Sequence, residues 1–171
     1  MLKERFLIRQ FQRDLRLYKR NNIPSLRKVD SVVVLTTASL YAKFDFVEQV
    51  TRTFETVKKV SVLIFGKAPQ EIDAYAHYFS EKDFSWNGRI KSSDLTSFLD
   101  TSYDVLIGYY PTKQLYLEYV TLALKSCFKI GFSEINNHLF DLMINESPQK
   151  VKEYMKTINT YVGILQSKSQ K

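Results

Sequence analysis

The chain has 171 residues, of which 44% are hydrophobic, 14% aromatic and 25% charged, and its formal net charge is +7. Folding a chain of this length buries roughly 70% of its extended surface, which gives one sizeable core; the apolar content, with only five Gly and four Pro, excludes disordered, low-complexity and collagen-like chains. No apolar run approaches the roughly 20 residues of a membrane helix, and the single cysteine, Cys127, excludes an internal disulfide and fits a reducing compartment.

The opening residues carry charges every few positions instead of a secretory apolar stretch, so a soluble, cytoplasmic protein is expected. Residues 2–20 lack Gly and Pro and are rich in Arg, Leu and Gln, which predicts a helix. Leu7, Ile8, Phe11, Leu15 and Tyr18 recur at i, i+3, i+4 spacing and form its apolar face. Arg5, Arg9, Arg13, Arg16 and Arg20 form a narrow stripe on the opposite face. Asn21, Asn22 and Pro24 then end the helix. Residues 1–30 hold nine basic side chains against three acids, a net of +6, so the remaining 141 residues carry only +1. Such asymmetry points to a polyanionic partner. Three readings fit the helix: a solvated face on a helix packed against the domain, a phosphate-binding face, or a membrane-surface helix. A solvated face normally mixes Lys with Glu, because five like charges in a row repel. Arg supplies weakly hydrated bidentate donors suited to phosphate. The membrane reading needs the apolar face that the core also needs.

From residue 29 onward strands and helices alternate. The run SVVVLT at 31–36 predicts a strand buried on both faces. A helix is expected over 44–57, a second buried strand over 60–65 and a short helix over 69–78. Phe84, Trp86 and Ile90 suggest an irregular strand broken by the turn signal Asn87-Gly88. Ser92 or Ser93 caps a helix through Leu99; 103–110 is a third strand, 114–125 a helix, and 128–132 and 139–144 two late strands. Ser147 as N-cap and Pro148 at the first helical position open a final helix to about Gln166. The pattern predicts an α/β fold: a three-layer, mostly parallel sheet of Rossmann- or flavodoxin-like type, with the last two strands as an antiparallel edge hairpin. The division expected is an arginine-rich helix and connector over 1–28, one α/β domain over 29–166 and a polar tail over 167–171.

Ligands of such folds sit beyond the carboxyl ends of the strands. Here those ends carry Thr36, Thr37 and Ser39, Gly66 and Lys67, Tyr109 and Tyr110, and Ser133 with Glu134. The loop after the first strand has hydroxyls but no glycines, so neither a dinucleotide fingerprint nor a P-loop is present. His77 and His138 have no flanking Cys or His at metal-ligand spacing. Cys127, between a helix and an apolar strand, reads as a buried small hydrophobe. Asp100 and Asp104 bracket a turn and need no acid–base role. No G-x-S-x-G elbow occurs. Tyr75, Tyr78, Phe79, Phe84, Trp86, Tyr109 and Tyr110 are able to stack on bases, but in a chain so aromatic most belong in the core. Only one or two exposed rings near the basic helix would matter to a nucleic acid.

The segments FSW at 84–86, FLDTSYDVLIGYY at 98–110, FKIGF at 128–132 and DLMI at 141–144 resemble those of a small uncharacterised bacterial family, classed as a domain of unknown function. The resemblance covers most of residues 29–165, and a basic, variable N-terminal helix recurs in such proteins. It implies a small bacterial cytoplasmic protein and supplies no catalytic residues.

These observations lead first to a non-enzymatic protein that engages RNA or the ribosome, with Arg5, Arg9, Arg13, Arg16 and Arg20 on phosphates and Arg27 and Lys28 extending the patch. DNA or RNA polymerase as partner is a close variant, since phosphate contacts carry no sequence information; an anionic membrane surface is the third polyanion. The alternatives are an enzyme or small-ligand sensor using Thr37, Ser39, Lys67 and Tyr110, and a helix that docks a protein partner or a second copy. No cofactor or metal is expected.

Overall fold

Val32, Val33, Val34 and Leu35 are all fully buried, so the strand they form is covered on both faces, as a central strand of a parallel sheet must be. The computed structural model, which describes residues 2–18 and 26–169, places β1 (Ser31–Thr37) there. On one side lie β2 (Lys59–Phe65) and β3 (Ala76–Phe79), and on the other β4 (Ser102–Tyr109), β5 (Lys125–Phe132) and β6 (Leu142–Ile144). The order is β3-β2-β1-β4-β5-β6 and every pairing is parallel. This is the strand order of a doubly wound Rossmann-type sheet, with its switch point between β1 and β4.

The helices are α1 (Leu2–Leu17), α2 (Ala38–Tyr41), α3 (Phe46–Thr53), α4 (Ser93–Asp100), α5 (Leu115–Ala123) and α6 (Val151–Lys168). Alternation along β5 separates the layers. Lys129 reaches the end of α5, whereas the ring of Phe132 lies 4.6 Å from that of Tyr154 on α6. α3 and α6 pack together over one face, α1 and α5 over the other. Short polar side chains start the helices: Asp45 accepts from Glu48 N at 2.9 Å, Ser92 from Leu95 N, and Gln114 from Leu117 N. Asp104 clasps β1 to β4, taking bonds from Asp30 N, Ser31 N and Ser31 Oγ at 2.8–2.9 Å. Asp100 pairs with Lys125 at 3.0 Å.

The expected antiparallel edge hairpin does not form: β6 runs parallel to β5. Its connection carries Ile135, Leu139 and Phe140, all buried, back across the sheet before β6 begins. Gly108 and Gly131 stand opposite each other on β4 and β5, and a Cβ on Gly131 would lie 2.5 Å from the Phe140 ring. The two glycines thus form the seat for that ring, and burying it outweighs the tighter turn of a hairpin. Asp141 then fixes the entry to β6, its N–H donating to Lys129 O and its carboxylate accepting from Lys129 N.

The helix expected over 69–78 is a turn followed by β3, because pairing of Ala76 to Phe79 with the open edge of β2 overrides local helical preference. The final helix begins at Val151, with Lys150 and not Ser147 at its N-cap. The Pro148 carbonyl is taken by the Tyr109 hydroxyl at 2.8 Å, which holds that residue outside the helix. Cys127 is exposed, not buried. It shares a face with Lys129 but lies nearer the amino edge of the sheet, beyond the last turn of α5. The helix expected over 44–57 is confined to Phe46–Thr53, where Asp45 caps it. The helix expected over 2–20 already ends at Leu17, with Tyr18 outside it, and the Asn21-Asn22-Pro24 stop lies outside the described residues.

Candidate nucleic-acid interface

The apolar ridge predicted for residues 2–20 decides how α1 sits. Leu7 is fully buried, Phe11 nearly so, and Leu15 packs against the same core; Ile8 is exposed. Gln10 Nε2 donates to the Tyr119 hydroxyl at 2.9 Å, and Lys3 Nζ donates to the Glu81 carbonyl while standing 6.0 Å from the Tyr116 ring centre. These contacts run along α5, so α1 is docked along its length and one face is left for solvent.

That face carries the arginines. Arg5, Arg9, Arg13 and Arg16 are all exposed. Arg13 Nε lies 3.1 Å from Asp14 Oδ1, an exposed pair of little energetic weight. Arg16 Nε donates to the Gln12 carbonyl at 3.3 Å. Among the described residues no other ion pair reaches these four guanidinium groups. Arg20 lies outside the described residues. Arg27 is exposed just before β1. Lys28 is exposed too, but its Nζ sits 3.0 Å from Asp30 Oδ1, which also faces Lys58 at 3.7 Å. The hydrogen bond between the first two raises the Lys28 pKa and lowers that of Asp30. Lys28 therefore offers a phosphate less than Arg5 or Arg9 does.

At the carboxyl edge of the sheet the ends of β1 and β4 are closed by groups that satisfy each other. Thr36 is fully buried and donates to the Tyr109 carbonyl at 2.8 Å. Thr37 caps α2 and shares a 3.0 Å hydrogen bond with Ser39. Tyr110 is fully buried against Thr121 at 2.6 Å, and burial pushes its phenol far above the usual range. Tyr109 is enclosed by the rings of Phe44, Phe46, Phe132 and Tyr154. Of the four residues placed at this edge as ligand groups, Lys67 is exposed beside a shallow cleft of about 490 Å³, and Tyr110 belongs to the core. His77 lies against the Phe98 ring at 4.8 Å, with burial and nearby Lys59 lowering its pKa, and His138 is exposed. Among the described residues no three His, Cys, Asp or Glu side chains converge as a metal site requires, and no helix is long and apolar enough to cross a membrane.

Lys129, which the sequence reading passes over, is 2% exposed. Its Nζ donates to the Thr121 and Leu122 carbonyls at 2.6 and 3.3 Å, capping the negative end of α5. The Tyr18 ring covers it at 5.0 Å, so this lysine also anchors the chain just past α1. Burial pulls its pKa down to about 8, against the opposing pull of Asp141. The signal is present in FKIGF at 128–132, where a lysine interrupts an apolar strand. Trp86, one of several candidate stacking rings, is 68% exposed and meets Phe6 of α1 edge-on at 5.8 Å. Phe79, Phe84, Tyr109 and Tyr110 are core.

No curated protein and no solved structure gives a significant match to the chain. A family model matches residues 3–165, a span that takes in α1 as well as the sheet. The chain belongs to that family, DUF6913, described as a family of unknown function.

Proposed function

We propose that the protein is a non-enzymatic, cytoplasmic RNA-binding protein that engages structured or ribosomal RNA through the outward face of α1. The observation that carries this reading is the orientation of four arginines. Arg5, Arg9, Arg13 and Arg16 face solvent on a helix whose opposite side is buried, and among the described residues a single ion pair, Arg13 with Asp14, offsets them. Like charges three and four residues apart destabilise a helix by about 0.2–0.5 kcal/mol per pair. A stripe that repels itself on an otherwise nearly neutral protein calls for an anionic partner, and repeated phosphates match its spacing along the helix. Arg27 and, more weakly, Lys28 extend the charge toward the start of β1. Arg20 is included by its place in the repeat.

The docked state of α1 disfavours the membrane reading, because Leu7 and Phe11 are used in the core. DNA, or a polymerase bound to nucleic acid, presents the same phosphates and is distinguished by competition. The test is co-sedimentation of the purified protein with ribosomes and with total RNA, beside a variant carrying Arg5→Gln, Arg9→Gln, Arg13→Gln and Arg16→Gln. The wild type is expected in the pellet and the variant in the supernatant. Equal sedimentation of the two overturns the assignment.

A further inference from the structure

Trp86 is the chain's only tryptophan, and it is 68% exposed, although a large ring of this kind is usually well covered. It does not hang on a loose loop. Phe84 and Ile90 form an antiparallel bridge, Ser85 N donates to Arg89 O at 2.7 Å, and Gly88 N returns to Ser85 O at 3.0 Å. The Ser85 hydroxyl adds a bond to Arg89 O at 2.8 Å. Trp86 therefore sits at the corner of a closed turn that fixes its direction.

That turn is pressed against α1. Gly88 has φ +79°, and a Cβ there would lie 3.0 Å from Leu7 N and 3.1 Å from Leu7 Cα. Only glycine allows both the backbone conformation and the approach. The Phe6 ring meets Trp86 edge-on, at 90° and 5.8 Å. Phe6 follows Arg5 directly and precedes Arg9 by one helical turn, and exposed Arg89 leaves the same turn as Trp86. The fold thus brings a solvent-facing indole to the edge of the arginine stripe, where it meets Phe6 from a distant part of the sequence.

We infer that Trp86, braced by Phe6, is a stacking platform for an unpaired base, and that the RNA engaged by α1 is single-stranded at this point. Every base has a face that stacks on an indole, whereas bases inside a duplex already stack on each other. Phosphates on either side of the stacked base would fall to Arg5, Arg9 and Arg89. The inference rests on the arginine reading above and narrows it to a substrate class.

The single tryptophan makes the test direct. Indole fluorescence of the full-chain wild type and of the four-arginine variant is followed during titration with a short oligouridylate and with an RNA duplex of equal length, and the affinities of the wild type, Trp86→Ala, Trp86→Phe and the four-arginine variant are read by anisotropy of the same labelled RNAs. Oligouridylate is expected to quench the wild-type signal, and Trp86→Ala to weaken its binding about tenfold while leaving duplex binding unchanged. Trp86→Phe should recover most of the loss. Unquenched fluorescence with unchanged affinity in Trp86→Ala overturns the platform and leaves the arginine reading standing, provided the four-arginine variant has lost binding. Failure of the wild type to bind either RNA overturns both.

Discussion

At the carboxyl edge of the sheet Thr36 is bonded to the Tyr109 carbonyl, Tyr110 to Thr121 and Thr37 to the first turn of α2, whereas on α1 four turns of helix hold four exposed arginines of which only Arg13 forms an ion pair, with Asp14, among the described residues. The first region is where doubly wound sheets ordinarily place their ligands, and here Thr36, Thr37 and Tyr110 have partners within the fold and Tyr109 is enclosed by aromatic rings, which leaves Lys67 exposed beside its shallow cleft. The second region retains unbalanced charge and an uncovered indole. The difference separates two uses of one scaffold. Groups that satisfy each other at the strand ends add stability, while groups left unsatisfied on α1 reduce it slightly and are available to a partner.

This contrast gives opposite expectations for substitutions in the two regions. Leu7→Ala, at the buried ridge that docks α1, should cost about 2–5 kcal/mol in chemical denaturation and lower RNA affinity as well, because the stripe loses its support. Gly131→Ala should cost about 1–3 kcal/mol by forcing the Phe140 ring from its seat, with RNA affinity unchanged. A loss of affinity in Gly131→Ala without loss of stability would place function at the sheet edge and break the comparison. The four-arginine variant should behave in the reverse way, losing binding while its melting temperature stays level or rises by a degree or so, since about 0.2–0.5 kcal/mol of repulsion is relieved per pair.

The smallest expected effect concerns Lys129. Its pKa is about 8 in the fold against the ordinary lysine value of 10.5. Between those values the unfolded chain binds a proton that the folded protein does not, so this group makes stability rise with pH above about 8. Below pH 8 both states are protonated and the gain is absent. Urea melts at pH 8 and pH 9.5 should show that the wild type gains more than Lys129→Met over this interval; buried tyrosines such as Tyr110 contribute equally to both proteins. Identical pH slopes would mean that the Nζ group is not held away from water.

Much of this was legible in the residues, because the strongest signals are local. SVVVLT can be buried on both faces only in a central strand, and the spacing of Leu7, Phe11 and Leu15 against the arginines assigns both sides of α1. The features that were not legible depend on distant partners. Residues 76–79 become a strand only because β2 presents an open edge. The β5–β6 connection returns parallel because Phe140 finds a floor made by Gly108 and Gly131, two glycines on separate strands. Cys127 is exposed because α5 ends short of it. Trp86 could be named as a stacking candidate among seven aromatics, but its selection required the contact between Gly88 and Leu7, which no spacing rule encodes.

The central claim, that the arginine face of α1 binds RNA phosphates, is tested most directly by the salt dependence of RNA affinity for the wild type and the four-arginine variant. Each phosphate contact contributes a log–log slope of about 0.7 on single strands, so loss of four should flatten the slope by roughly 3 and lower the affinity at every salt concentration. Parallel lines of equal affinity would contradict the account.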